Sequence, residues 1–443
     1  MTITLALYLA LALLLGGVAA QGGWPDALLA VLALPLLACG AWHLQAAGRP
    51  LATPLLALVL ATLALPLLQL LPWASWPVVG PSLQALHATF GVLPLAEADV
   101  PAHRAWSLHP QGTWWSLLAL LPPLAVLVAA ASLDRRGRGR LLGVALAVAT
   151  VQAVIAILQT PEGGAVLPTF HGPEGEQARG TFANRNHLGL LMVLGAGIGL
   201  SLLWRRTSHA LAEGWRVRDG LVVGASLAAV LLCLVALLLS QSRAAAGIGL
   251  LLGGLALLGL WWQPRRQAGG KRLLAVIAGL VLVAINLGAY GVMQRFASDP
   301  LDADRAKMAA QTAALAREAL PWGTGLGSFP AVYAQREPAA LGLDAPLTNH
   351  AHNDWLEWLL ETGIAGLALM LAWFGLLAWC LWRARPWSPG VGVAALLVAA
   401  PLLHSLVDYP LRTLAISTLF ALVASDLLLA KRKEDRPPVS DSL

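Results

Sequence analysis

Charge is scarce in this sequence: charged residues make up 12% of its 443 residues, against 58% that are hydrophobic. Soluble globular proteins carry about 25% charged residues, so this chain cannot cover a water-facing surface of the size that its length requires. The composition therefore excludes a soluble enzyme, a disordered protein and a simple nucleic-acid binder.

Cysteine is scarce as well. Cys39, Cys233 and Cys380 all lie in apolar runs, which argues against a disulfide framework and a zinc site.

Long apolar segments are what the sequence has instead. A helix needs about 20 mostly apolar residues to cross the hydrocarbon layer, and backbone in lipid must satisfy its own hydrogen bonds. The first segment lacks a basic stretch before it, which favours a membrane span over a cleaved signal peptide. The sequence predicts an all-α integral membrane protein with about twelve transmembrane helices, near 3–20, 27–47, 51–72, 115–133, 141–160, 187–204, 220–240, 244–262, 273–293, 358–382, 389–405 and 412–430.

The distribution of basic residues predicts the orientation. With both termini in the cytoplasm, 19 of the 29 Lys and Arg residues fall in inside loops and the other 10 fall outside. This bias agrees with the positive-inside rule. We expect a single polytopic membrane domain over 1–443, with a large periplasmic loop at 294–357 and a cytoplasmic tail at 431–443. Within that loop, residues 302–320 predict a helix that Pro321 and the following glycines end.

Two arginines stand out on the predicted outer side. Arg243 lies in a tight turn between two apolar spans. Either its side chain extends to the lipid headgroups, or its planar guanidinium donates hydrogen bonds to a phosphate. Arg305 opens the predicted loop helix, although a cation in the first turn opposes the helix dipole. It either pairs with Asp302 and Asp304 or binds an anion from outside.

The densest polar cluster is 348–357, which leads directly into an apolar span. His350 and His352 are suited to acid–base work or substrate positioning, because an ordinary imidazole has a pKa of about 6.5. Metal ligation is the weaker alternative, since a third and a fourth ligand at suitable spacing are absent. Asn353 and Asp354 either contact the substrate or cap the helix.

Two further clusters fall on the same side. The loop before the sixth span carries candidate sugar or phosphate ligands, which otherwise form a polar cap on that span: Arg179, Asn184, Arg185, Asn186 and His187. Near the last outside turn, His404 and Asp408 are four residues apart, so they either face each other or serve packing alone. All these clusters converge on one face, which favours an outward-facing site. A transporter would instead be expected to carry polar residues in the middle of its spans.

The motifs in these clusters resemble those of the O-antigen ligase and polymerase superfamily. The resemblance covers about residues 140–430. The matching pieces are Gly180-Thr181-Phe182-Ala183-Asn184-Arg185-Asn186-His187, Ser242-Arg243, Arg305, Pro321-Trp322-Gly323-Thr324-Gly325-Leu326-Gly327-Ser328-Phe329 and His352-Asn353-Asp354-Trp355-Leu356-Glu357 with Glu361-Thr362-Gly363-Ile364-Ala365-Gly366. The first four predicted spans carry no piece that matches.

The resemblance implies a membrane-embedded glycosyltransferase of the GT-C type that needs no metal and no cofactor. Such enzymes take a glycan from undecaprenyl diphosphate at the periplasmic face of the bacterial inner membrane. By the family pattern, Arg243 and Arg305 would bind the diphosphate, and His352 would stand near the acceptor hydroxyl. His350 lies two residues earlier, so either histidine could take that role; Asn353 follows His352 as in the pattern, which favours His352.

The acceptor stays open at this point. Ligation to lipid A–core is favoured, and the alternatives are polymerisation onto another lipid-linked repeat, transfer to protein, or export of a lipid or polysaccharide. A non-catalytic envelope scaffold is a further alternative. The partners implied are the lipid-linked donor, a glycan acceptor and membrane lipids. No Asp-x-Asp motif of a cytoplasmic nucleotide-sugar transferase is visible in the sequence.

Overall fold

The regular elements of the protein, in a computed structural model, are helices. The structure describes residues 1–18, 22–48, 51–73, 76–90, 105–160, 166–167, 178–261, 303–336, 348–385 and 387–430. In these ranges the helices, in chain order, are α1 (Thr2–Leu15), α2 (Trp24–Ala46), α3 (Ala52–Gln69), α4 (Gly80–Phe90), α5 (Pro110–Ser132), α6 (Arg135–Leu158), α7 (Arg185–Glu213), α8 (Val217–Leu239), α9 (Arg243–Trp261), α10 (Ala303–Glu318), α11 (Phe329–Tyr333), α12 (Asp354–Arg383), α13 (Pro389–His404) and α14 (Leu414–Leu428). A short 3₁₀ turn, Pro410–Arg412, precedes α14.

Seven of the described helices are long and apolar enough to cross a membrane, namely α2, α3, α5, α6, α7, α8 and α12. Four shorter apolar helices accompany them: α1, the stretch Arg243–Leu258 of α9, α13 and α14. These helices coincide with eleven of the twelve predicted segments, and the remaining one, 273–293, lies outside the described residues. The protein is a multi-pass helical membrane protein, but the count of twelve spans is not confirmed. A helix of 15 residues such as α14 is only about 22 Å long, short of the roughly 30 Å hydrocarbon layer.

Two separate apolar cores hold the helices. The larger core is formed by buried side chains of the long helices, with Leu9 of α1, Val128 of α5 and Leu419 of α14 fully buried in it. The smaller core lies under the loop elements, where α4, α10 and α11 pack together through Leu83, Leu315 and other apolar residues. The second core explains why the sparsely apolar helix α10 is ordered against the bundle.

Several helix ends meet at one end of the bundle, which we call the site end. The backbone N–H of Ala415 donates to Gly16 O at 3.0 Å, and that of Ala183 donates to Gly17 O at 3.2 Å. These bonds join the end of α1 to the starts of α14 and α7. The backbone N–H of Asp354 donates to Ser405 O at 3.0 Å, which joins the start of α12 to the end of α13.

A break in α12 connects this span to the glycine-rich loop 321–328. Gly363 has φ 57° and ψ −148° inside the helix, a conformation that favours glycine. The freed backbone groups are satisfied by the loop, because Ile364 N donates to Pro321 O at 2.9 Å and Gly325 N donates to Glu361 O at 2.9 Å. A side chain at Gly363 would overlap Pro321 and Trp322. The loop that follows α10 is therefore fixed directly to a membrane span.

Candidate functional site

Asp408 is the centre of the polar residues at the site end. It lies in the turn between α13 and α14, and its side chain is fully buried. Asn186 Nδ2 donates to Asp408 Oδ2 at 2.7 Å, and Asn184 Nδ2 donates to Asp408 Oδ1 at 3.3 Å. His187 Nε2 lies 3.6 Å from the same Oδ1. Asn184 also caps α7 by accepting from Asn186 N at 2.8 Å, so the start of this helix aims its polar side chains at Asp408.

His352 and Arg305 reach the same carboxylate from the large loop. His352 Nδ1 lies 3.2 Å from Asp408 Oδ1, and Arg305 Nη2 lies 3.7 Å from Asp408 Oδ2. Arg305 Nη1 also donates to Val407 O at 3.3 Å. The side chains of His352 and Arg305 stay 26% and 30% exposed. Three predicted clusters, far apart in the sequence, therefore meet at one buried anion.

The charge of Asp408 is stabilised by its neighbours. Burial by itself would raise the pKa of Asp408, but interactions with His187 and His352 hold that pKa well below its usual range. Burial, together with the nearby Asp408 charge, raises the pKa of Tyr409 to about 12. The site thus combines a permanent carboxylate with a neutral phenol next to it in the chain.

Tyr409 organises three histidine rings around its own. The ring centroid of Tyr409 lies 4.9 Å from that of His187, 4.4 Å from that of His350 and 4.9 Å from that of His352. The rings of His187 and His352 meet it edge-on, a geometry that aromatic pairs prefer. Tyr409 therefore fixes the spacing of the histidines that flank Asp408.

A cavity of about 90 Å³ opens beside these rings. A single ordered water needs roughly 10–15 Å³, so the cavity has room for a group much larger than one water. Its walls come from the end of α1, the start of α7 and the loop before α12, through Gly17, Val18, Ala183, Asn184, His187, Asn349, His350 and Tyr409.

Arg412 forms a second ionic cluster deeper in the site end. Its Nη2 lies 2.8 Å from Glu361 Oε2 and 3.5 Å from Glu357 Oε1, and its Nε lies 3.7 Å from Asp354 Oδ1. The three carboxylates occupy one face of α12 at spacings of three and four residues. Burial alone would lower the pKa of Arg412, but Glu357, Glu361 and Asp354 raise it. The guanidinium therefore lies among three carboxyl groups of the protein itself.

Glu357 links this ionic cluster to His350. His350 Nδ1 lies 2.8 Å from Glu357 Oε1, while Glu357 Oε2 accepts from Ala351 N at 2.8 Å. The carboxylate thereby fixes the orientation of the imidazole. The other ring nitrogen, His350 Nε2, is buried and has no hydrogen-bond partner among the described residues.

Buried glutamines hold the backbone of the loop that follows Arg179. Gln159 Oε1 accepts from Gly180 N at 2.8 Å, and Gln152 Oε1 accepts from Thr181 N at 3.0 Å. Arg179 Nη1 donates to Ala183 O at 3.3 Å. Arg179 and Arg185 are both partly exposed, so both stay at the rim of the site.

The turn that carries Arg243 packs against the start of α7. A Cβ placed on Gly189 would come within 2.9 Å of the side chains of Ser242 and Ala245. Arg243 is the first residue of α9 and is partly exposed. This packing brings the turn that carries Arg243 to the start of α7, at the site end.

Three other predicted residues are not among those that line the cavity, and two of them have structural contacts instead. Asn353 caps α12 by accepting from Trp355 N and Leu356 N at 3.1 Å. Asp354 accepts from Ser405 Oγ at 2.7 Å and faces Arg412. His404 is fully buried, yet no hydrogen bond joins its ring to Asp408, so the expected pairing of these two side chains is not formed.

Sequence reasoning missed Tyr409, Arg412, Glu361 and Gln69. Gln69 of α3 donates to Glu361 O at 3.0 Å and accepts from Leu326 N at 2.9 Å, so it fixes the loop to the kinked span. Charged residues at the end of an apolar helix require a partner. The regular spacing of the carboxylates in α12 indicates that a basic residue faces them, and this was the signal that could have pointed to Arg412. The sequence around Gln69 contains no pattern that predicts its contact with the loop and with α12.

The described residues include no group of three or more His, Cys, Asp or Glu arranged to hold a metal ion. The site is instead a cluster of arginines, histidines, amides and carboxylates at one end of a multi-pass helical bundle. Such an arrangement is suited to binding an anion beside a group that accepts a proton.

Residues 228–371 match the family model of the O-antigen ligase, and the resemblance to the O-antigen ligase superfamily is thereby confirmed. Members of this family are glycosyltransferase-like enzymes, ligases and polymerases. The match includes Arg243, Arg305 and His352, whereas Asp408 and Arg412 lie beyond it. No curated protein matches the chain.

Proposed function

We propose that this protein transfers a glycan from undecaprenyl diphosphate to an acceptor hydroxyl, at the periplasmic face of the bacterial inner membrane. The acceptor in this proposal is lipid A–core, which makes the reaction O-antigen ligation. The observation that carries the proposal is the meeting of Arg305 and His352 at Asp408. An anion site and a proton acceptor then lie side by side, within a chain that matches the O-antigen ligase family.

In the proposed reaction the acceptor oxygen attacks the anomeric carbon of the donor glycan. The bond between that carbon and the diphosphate oxygen breaks, and the diphosphate leaves with the bonding electrons. Arg305 and Arg243 stabilise the charge that develops on it, because preorganised donors in a partly dehydrated site act most strongly on charge that grows in the transition state. No metal or cofactor takes part in this scheme.

His352 accepts the proton of the attacking hydroxyl. Its Nδ1 faces Asp408, so Nε2 is the nitrogen left to act, in the manner of a base oriented by a carboxylate. The backbone of His352 has φ 48°, a conformation that non-glycine residues rarely adopt and that functional sites often contain. The backbone conformation supports His352 over His350 as the base, whereas contact with a carboxylate is common to both rings.

The orientation proposed for the chain places the site end in the periplasm and both termini in the cytoplasm. The positive-inside distribution of basic residues supports it. Reporter fusions at Gly269 and Gly342, both outside the described residues, test it. A periplasmic signal at Gly269 or a cytoplasmic signal at Gly342 would contradict this orientation.

Deletion of the gene in the native host distinguishes a ligase from a polymerase. Both enzymes would use the same transfer chemistry, so the products have to separate them. If the protein is the ligase, the deletion strain accumulates lipid-linked polymer and loses the lipopolysaccharide ladder. Single-repeat products in place of the ladder would identify a polymerase. An unchanged ladder would contradict both assignments.

A further inference from the structure

The cavity beside Tyr409 has a chemistry different from that of the anion site. Among the described residues, no lysine or arginine contributes to its walls, which are formed by backbone, amides, two histidines and a phenol. Arg305 contacts Asp408 and is not among the residues of these walls. Within the described ranges, a diphosphate would therefore find no cation in this cavity, whereas a neutral ligand rich in hydroxyl groups matches its walls.

His350 supplies the polar group that requires a ligand here. The His350 side chain is 9% exposed, and its Nδ1 is engaged by Glu357. Its Nε2 has no hydrogen-bond partner among the described residues, and the same holds for His187 Nδ1. A buried polar atom without a partner is costly. His350 and His187 both line the cavity, so a ligand there that pairs with one of these nitrogens would remove this cost.

The orientation of His350 also selects the kind of ligand. When Nδ1–H donates to Glu357, the neutral imidazole presents Nε2 as a hydrogen-bond acceptor. A sugar hydroxyl can donate to that nitrogen. A phosphate oxygen has no proton to donate, which again separates this cavity from the diphosphate site.

Resting on the function proposed above, we propose that this cavity is the subsite for the acceptor sugar and that His350 is a positioning residue for it. The nitrogen Nε2 accepts a hydrogen bond from an acceptor hydroxyl that does not react. Asn349, which lines the cavity and is exposed, contacts the same sugar. The reacting hydroxyl is thereby placed toward His352, whose ring also contacts Tyr409.

Transfer kinetics with the purified full chain in nanodiscs test this subsite. The variants are His350→Gln and Asn349→Ala, and the second is at an exposed position whose replacement spares the fold. We expect each to raise the KM for the acceptor about 3- to 10-fold, the range for one lost hydrogen bond. The rate at saturating acceptor and the KM for the lipid-linked donor should change less than 2-fold.

His209→Gln is the matched control. His209 also pairs with a glutamate, since its Nε2 lies 3.2 Å from Glu213 Oε1, but its side chain is 47% exposed at the opposite end of α7. This variant should leave every constant unchanged. A rise in the donor KM for His350→Gln, or an unchanged acceptor KM for both cavity variants, would overturn the proposal.

Binding measurements keep the subsite testable if the wild type shows no transfer, which would contradict the proposed function by itself. Lipid A–core oligosaccharide and a lipid-linked single repeat serve as sugar probes, and inorganic pyrophosphate serves as the anion probe. Both cavity variants should weaken the binding of a sugar probe and leave pyrophosphate binding unchanged. Weaker pyrophosphate binding in His350→Gln, or unchanged binding of both sugar probes, would overturn the assignment of the cavity.

Discussion

Arg305 and Arg412 lie at the same end of the bundle and both face carboxylates, yet their surroundings differ. Arg412 is 16% exposed and has three carboxylates of α12 within 4 Å. Arg305 is 30% exposed and lies 3.7 Å from the carboxylate of Asp408, which two histidines also approach. The charge of Arg412 is balanced by carboxyl groups of the protein itself, whereas in the proposed reaction Arg305 meets the anion of the donor. We therefore propose that Arg412 stabilises the site end and that Arg305 binds substrate.

The largest effect is expected from Arg412→Ala. This change leaves Asp354, Glu357 and Glu361 buried without their cation, and breaking a buried ion pair from one side costs about 3–5 kcal/mol. We expect a much lower amount of folded protein in the membrane and a markedly lower Tm in detergent. A variant with the wild-type Tm would show that Arg412 does not hold the site end together.

Arg305→Ala should affect activity rather than folding. Loss of one preorganised donor lowers a catalytic rate about 100- to 1000-fold, and we expect Arg243→Ala to act in the same direction. Lysine should restore activity only in part, because it keeps the charge but loses the planar fork of donors. Initial rates of transfer and Tm are measured on the same preparations.

Arg317→Ala is the control for Arg305→Ala, because Arg317 lies on the same helix and is exposed. It should retain the wild-type rate. If Arg305→Ala turns over normally, or if it unfolds like Arg412→Ala, the distinction between the two arginines is wrong.

His352→Ala sharpens the comparison within the Asp408 cluster. Removal of a general base lowers the rate by about 100-fold or more, while donor binding should persist because the arginines hold the diphosphate. Rate and donor binding are measured separately, and His350→Ala should be the milder variant. An inactive His350→Ala beside a normal His352→Ala would reverse the roles of the two histidines. Loss of donor binding in His352→Ala would make this residue a phosphate ligand.

The smallest expected effect is that of EDTA on the wild type. Because arginines supply all the positive charge in the proposed mechanism, the transfer rate should stay within error after treatment with the chelator. Strong inhibition that added divalent metal reverses would show that a cation acts beside Arg305.

Much of this architecture could be predicted from the sequence, because local patterns determine it. The helix predicted over 302–320 is α10, Ala303–Glu318. Asn353 caps α12, as one of the two interpretations of that residue had it. The predicted polar clusters also meet at one end of the bundle, which follows once the apolar segments are assigned as antiparallel spans.

The pairing of individual side chains could not be predicted. One of the two alternatives for Asp408 paired it with His404, four residues away, but the turn after α13 directs its side chain to α7 and to the loop residues His352 and Arg305. The break at Gly363 depends on the distant loop at Pro321, which accepts a hydrogen bond from the freed backbone. Such contacts depend on how the helices pack, which spacing within one segment does not reveal.

The contribution of the first spans was also missed. They carry no motif of the family, yet Gly17 and Val18 line the cavity and Gln69 holds the loop on α12. Their contributions are mostly backbone atoms and one amide. Backbone atoms leave no signature in the sequence, which is why the site looked confined to the later two thirds of the chain.

The most direct test of the account is transfer by purified protein in nanodiscs, supplied with undecaprenyl diphosphate-linked glycan and lipid A–core. The account predicts a glycan-bearing lipid A–core product, release of one undecaprenyl diphosphate for each product, and loss of both in Arg305→Ala at unchanged Tm. A folded wild-type protein that forms no product with lipid A–core or with a lipid-linked repeat would contradict it, and so would an Arg305→Ala variant that transfers at the wild-type rate.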